Sequence, residues 1–196
     1  MTDTQVDAPR AKFHAMVDGT PEDWQIIGGE LGKFGPELSG RVMAHMRLLA
    51  DDHGGFAVDR LTHCLQTAAR AEKAGRDDEY VLCALIHDIG DTLGPYNHAD
   101  VGAAILKPFV RPELHWMVEK HAIFQGYYFF HHLGLDRDMR EQFRDHEAFD
   151  LTAEFCQEFD QVAFDPDYPT PPLEHYQPLI EAKMSYPTRS IYTGTA

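Results

Sequence analysis

Basic residues are scarce in this sequence: 17 lysines and arginines stand against 32 aspartates and glutamates, a formal net charge of −15. That balance repels phosphate backbones and anionic membrane surfaces at long range, so neither nucleic acid nor a membrane is an expected partner. Long apolar runs are missing as well. No stretch approaches the roughly 18 apolar residues of a membrane span, and Met1 to Gly19 has neither the basic start nor the apolar centre of a secretory signal. The expected location is the cytoplasm. Cysteine is limited to Cys64, Cys83 and Cys156, odd in number, widely spaced and each in a helix-like context. This argues against a disulfide framework and a zinc ribbon, and leaves three small buried hydrophobes. Strand signals are absent too, with no alternating pattern, hairpin dipeptide or internal repeat. The class is therefore all-α.

What is present is helical. With 43% apolar residues in 196, the chain can build one sizeable core, and a single domain over 1–196 is expected. In "GTPEDW", Thr20 suits an N-cap and Pro21 the first helical position, with Glu22 and Asp23 in the first turn, opening N-terminal helices over 20–50. Leu38, Val42, Met43, Met46 and Leu49 mark a second helix, and Gly54-Gly55 breaks the chain. Val58, Leu61, Leu65, Ala68 and Ala69 stripe a third helix that ends near Gly75. Asp77, Asp78 and Glu79 open the next, whose apolar run Val81 to Ile86 predicts burial on every side and a stop at Gly90. Asn97 and Asp100 resemble a capping box that places His98 in the first turn of "HADVGAAILKPFV". "ELHWMVEKHAIFQGYYFFHHLG", "DRDMREQFRDH" and "EAFDLTAEFCQEFDQVAF" read as further helices, and the proline-rich 165–196 as a surface wrap.

The buried run ends in His87 and Asp88, and a buried carboxylate costs several kcal/mol unless it is paired or bound to a metal. His63, His98, His121 and Asp160 supply candidate partners. Imidazole and carboxylate without thiolate suit a first-row transition metal and disfavour structural zinc. Six ligands are too many for one open site. They fit two ions sharing Asp88 as a bridge, with His63, His87 and Asp160 on one and His98 and His121 on the other. That count leaves positions for water, substrate or dioxygen. Each residue also has a plainer reading. His87-Asp88 could be a hydrogen-bonded pair closing a helix, and His63 lies on the helical wheel near Asp59, Gln66 and Arg70, as a surface histidine would. His98 could be an ordinary first-turn residue and His121 a core histidine beside Trp116 and Phe124. His131 and His132 read as surface or packing residues.

The order His63, His87-Asp88, Asp160 resembles the HD-domain superfamily, which implies a helical bundle with its metal-binding core over about 52–165. With the histidines of "YNHADVGA" and "EKHAIFQGYYF" added, the pattern looks like the dinuclear branch of that superfamily. Within it, "LTHCLQTAARAEKAGRDDEYVLCALIHDIGD" and "NHADVGAAIL" are similar to the small diiron oxygenases that split organophosphonates, and more distantly to myo-inositol oxygenase. The resemblance implies two iron ions, Fe(II)/Fe(III), and dioxygen as co-substrate, cleaving a C–C or C–P bond of a small hydroxylated substrate.

Departures from those relatives lie beside the expected metal ligands. His53 and Phe56 stand where a tyrosine and a glutamate would gate one iron, Gln125 and Gln157 where a lysine and an arginine would stand, and Asp91 where many relatives have the lysine of "HDIGK". Phosphoryl transfer needs basic side chains near the metals. Their loss favours an oxygenase over the alternative, a dinuclear metal-dependent phosphohydrolase. A metal-stabilised binding module would give no reason for open coordination positions. Candidate substrate contacts are His53, Asp91, Gln125, Tyr127 and Arg140. Arg137, Arg140 and Arg144 would form one helical ridge, either a solvated face paired with acids or a source of one inward arginine, Arg140, for an anionic group. Without that arginine, Gln125, Tyr127 and Tyr128 point to a neutral or cationic substrate.

Overall fold

The computed structural model describes residues 9–192 and Gly194. Among them are eight α-helices and no strand: α1 (Pro21–Phe34), α2 (Leu38–Met46), α3 (Arg60–Lys73), α4 (Asp78–Ile86), α5 (His98–Leu106), α6 (Pro112–Phe129), α7 (Phe149–Glu154) and α8 (Gln177–Met184). No helix among the described residues is long and apolar enough to cross a membrane.

The middle of the molecule is α4. Asp77 caps it by accepting from the Tyr80 backbone N–H, and every residue from Tyr80 to Ile86 is buried. A helix apolar all round can only sit inside, and α3, α5, α6 and α8 pack about it. α3 starts at the Asp59 cap, whose carboxylate accepts from the Thr62 N–H. Beyond the prolines, Leu173, Tyr176, Ile180 and Met184 are buried, and α8 packs against α2 and α4. All three cysteines are free and buried. Burial pushes their thiols well above the usual range, so they behave as small apolar side chains.

Several expectations need correction. α4 ends at Ile86, and His87 to Gly90 form a turn. Gly90 is needed for a close approach instead: a methyl there would collide with the carbonyl of His98 at the start of α5. Gly102 makes the matching contact, where a Cβ would lie 2.5 Å from the carbonyl oxygen of His87. Asn97 does precede α5, but its side chain makes no capping hydrogen bond. α3 buries more than a stripe, with His63, Gln66 and Thr67 inside as well as Leu65 and Ala68, while Ala69 is only half-buried. The segment holding the arginines is not the expected helix: Arg140 lies in a short 3₁₀ turn, Met139–Phe143, with Arg137 before it and Arg144 just after it. The last predicted helix is split: α7 runs six residues and passes into a π-helical turn, Phe155–Asp160, where the Gln161 N–H bonds to the Cys156 carbonyl at 3.0 Å.

α1 is built otherwise. Thr20 and Asp23 form a full capping box, and Pro21 occupies the first position as expected. Only Asp23 of its residues is buried, and Trp24, Leu31 and Phe34 stay exposed.

Candidate metal centre

Four helices and the π turn deliver the six residues to one place. His63 lies in the first turn of α3, His87 and Asp88 in the turn after α4, His98 at the first position of α5, His121 in the middle of α6, and Asp160 at the end of the π turn. His87 follows directly from a helix with no freedom to rotate. His63 is placed by the Asp59 cap. The segment bearing Asp160 is clamped to α3 by Gln66, whose amide donates to the Asp165 carbonyl at 2.7 Å and accepts from the Asp165 N–H at 3.2 Å. Gln66 is thus a buried polar residue with both amide atoms used.

Three imidazoles are oriented by backbone. Nδ1 of His63 faces the Ala163 carbonyl at 3.1 Å, that of His87 the Ala84 carbonyl at 2.9 Å, and that of His121 the Val118 carbonyl at 2.6 Å. Each Nδ1 must therefore carry the proton, which leaves the Nε2 lone pairs pointing inward. The Nε2 atoms of His63 and His87 then face each other at 3.1 Å. Oδ1 of Asp160 is 3.2 Å from His63 Nε2 and 3.8 Å from His87 Nε2, and its Oδ2 is buried without a hydrogen-bond partner. Asp88 divides its oxygens: Oδ2 is 3.5 Å from His63 Nε2 and 3.4 Å from His87 Nε2, while Oδ1 is 3.1 Å from His121 Nε2 and 3.4 Å from His98 Nε2.

Convergent ring nitrogens beside two carboxylates, with Asp160 Oδ2 left without a partner, call for positive charge among them, from protons or from a cation, so the donor set fits metal ions. The titration behaviour points the same way. Burial works against charge on His63 and His121, yet Asp160 and Asp88 raise the first, and Asp88 raises the second to about 9. Burial would likewise raise Asp88, but the imidazoles of His87 and His121 hold it well below the usual carboxylate range. Without a metal the carboxylates draw protons onto His63 and His121, and a bound ion would release them.

A cavity of about 430 Å³ opens onto this cluster. Phe56, Val58, Phe129 and Phe164 give its lining apolar surface. Phe164 stacks on the His63 ring at 4.3 Å and on Phe56 at 4.8 Å, which ties this apolar surface to a candidate ligand.

A model of the HD domain matches residues 60–165, more than half of the chain. The chain belongs to the HD-domain family. No curated protein gives a significant match. Fold and family agree with the all-α bundle expected, and the His/Asp cluster in this HD domain supports a metal-dependent HD enzyme.

Among the candidate substrate contacts, His53, Asp91 and Gln125 line the cavity. Gln125 donates to Asp160 Oδ1 at 3.1 Å. Tyr127 and Arg140 are not in the wall. The Arg140 guanidinium lies 3.7 Å over the Tyr127 ring, and Arg137 lies 4.2 Å from the same ring, so the inward arginine ends on an aromatic face. The neighbouring Tyr128 lines the cavity in place of Tyr127, and Gln157 lies on the exposed side of the π turn. Sequence reasoning missed Arg60 and Phe164. Arg60 stands three residues before His63, a spacing that shares a helix face, and this was the available signal. Phe164 follows a π turn, whose altered phase no periodicity reveals. His131 and His132 are exposed, as expected.

Proposed function

We propose that this HD domain is a dinuclear iron oxygenase that uses dioxygen to cleave a C–C or C–P bond of a small hydroxylated substrate. The observation that carries the reading is the division of Asp88, one oxygen toward His63 and His87, the other toward His98 and His121. His63, His87 and Asp160 would hold one ion and His98 and His121 the other, with Asp88 shared. When bound, the pair supplies a chelating centre for substrate oxygens and the electrons for dioxygen chemistry.

The chain's own residues perform the rest. The backbone-locked imidazoles keep the donors in place without reorganisation. Gln125 holds Asp160 through its amide N–H, and Phe56, Phe129 and Phe164 give the cavity apolar surface against which the carbon part of a substrate can rest.

One feature favours this over a phosphohydrolase. Phosphoryl transfer needs cations to meet its charge, and Arg60, the arginine among the described residues of the wall, is engaged by both Asp52 and Asp91. The decisive experiment follows turnover with and without dioxygen on purified protein of known metal content. Two ions per chain and complete dependence on dioxygen are expected. Phosphate release from phosphomonoesters that persists under anaerobiosis and is abolished in His87→Ala would assign a phosphohydrolase instead.

A further inference from the structure

His98 is held differently from the other three imidazoles. Its Nδ1 meets no carbonyl but lies 3.3 Å from Oδ1 of Asp91, and its side chain is 24% exposed, against 6% for His63, 0% for His87 and 3% for His121. Asp91 is itself held. Arg60 Nη1 donates to its Oδ2, which leaves Oδ1 for His98, and Arg60 Nε donates to Asp52 Oδ2 at 3.0 Å. Asp91, Asp88 and His98 offer atoms within 4.8 Å of one another, so Asp91 could swing onto an ion as an extra ligand if nothing restrained it.

We infer that Asp91 is the positioning residue of the second metal sub-site. Its Oδ1, 3.3 Å from Nδ1 of His98, is placed to take the ring N–H, which would fix the tautomer and aim Nε2 toward the ion shared with His121 and Asp88, while Arg60 keeps the carboxylate in that role. A carboxylate behind a ligating histidine orients the ring and raises its basicity, and its loss typically lowers metal affinity 10- to 100-fold. The inference rests on the dinuclear reading above. It adds that the two ions are unequal: one is held by imidazoles locked on backbone, the other partly by an imidazole locked on a side chain.

The test is titration of metal-free protein with Mn(II), followed by the electron paramagnetic resonance signal of the free ion, which counts bound ions and gives two binding constants. Wild type should bind two and His98→Ala one. Asp91→Ala should weaken the second constant 10- to 100-fold with the first constant and the circular dichroism unchanged. Asp91→Asn, whose amide oxygen still accepts from Nδ1, should recover most of the loss. If Asp91→Ala does not fold, Asp91→Leu, close in size and lacking an acceptor, takes its place. A second constant unchanged without the acceptor would reduce the Arg60–Asp91 pair to a structural ion pair and overturn the inference. Asp91→Asn as weak as Asp91→Ala would overturn it in favour of direct ligation. Two ions in His98→Ala would remove His98 from the ligands and overturn the inference, whereas one ion in wild type would sink the dinuclear reading itself.

Discussion

Helix α4 buries seven of its nine residues, whereas α1 buries one of its fourteen. Both begin with side-chain caps, Asp77 on one and the Thr20–Asp23 box on the other, so the signal that starts a helix is equally clear in each. The signal that places a helix is not. α4 is packed from all sides and can hold His87 and Asp88 at its end to within a hydrogen bond's tolerance. α1 presents Trp24, Leu31 and Phe34 outward and positions nothing in the site. A cap decides where a helix begins, and packing decides whether it can carry chemistry.

That contrast can be broken most severely at the end of α4. Asp88→Ala should remove both ions, because one carboxylate serves both sets of histidines, and metal analysis after gel filtration reads the loss directly. Retention of one ion would show the two halves to be independent. Next in size is Leu85→Ala. Leu85 is fully buried, and the cavity left should cost about 2–5 kcal/mol in urea unfolding. Gly102→Ala tests the crossing of α5 over the turn after α4. A methyl there meets the His87 carbonyl, so a loss of about 1–3 kcal/mol with weaker metal retention is expected. The smallest effect belongs to α1. Thr20→Ala should cost about 1 kcal/mol locally, visible in amide exchange of the first turn, with metal content unchanged. A large drop in metal content there would mean that α1 supports the site after all.

Much of this was legible in the residues. The apolar run of α4 and the spacing of caps and glycines give the all-α class and most helix positions, and the six candidate ligands do come together. His63 shows why pattern reading strains at a core helix. On the wheel it sits with Gln66 and Arg70, yet α3 is buried on more than one face, and its polar groups find partners in Ala163 and Asp165, about a hundred residues away. Such partners are invisible to periodicity. The same limit explains Arg140: charge spacing suggested a ridge, but a 3₁₀ turn and a tyrosine face decide where its guanidinium rests. Arg60 and Phe164 were overlooked because their roles depend on the loop before α3 and the segment after Asp160 folding toward one cavity.

The π turn at Phe155–Asp160 gives the site something like a reading frame. A π turn behaves as an α-helix with one residue too many, and each residue of an α-helix advances the side chains by about 100°. Removing a single residue from this turn would restore ordinary winding and change the direction in which Asp160 projects relative to His63. The same six letters would remain, in the same order, with one letter fewer ahead of the last of them. This chain could thus keep every member of the motif on paper and still lose the geometry of the cluster, so spacing within this short turn is as much a part of its signature as the residues are.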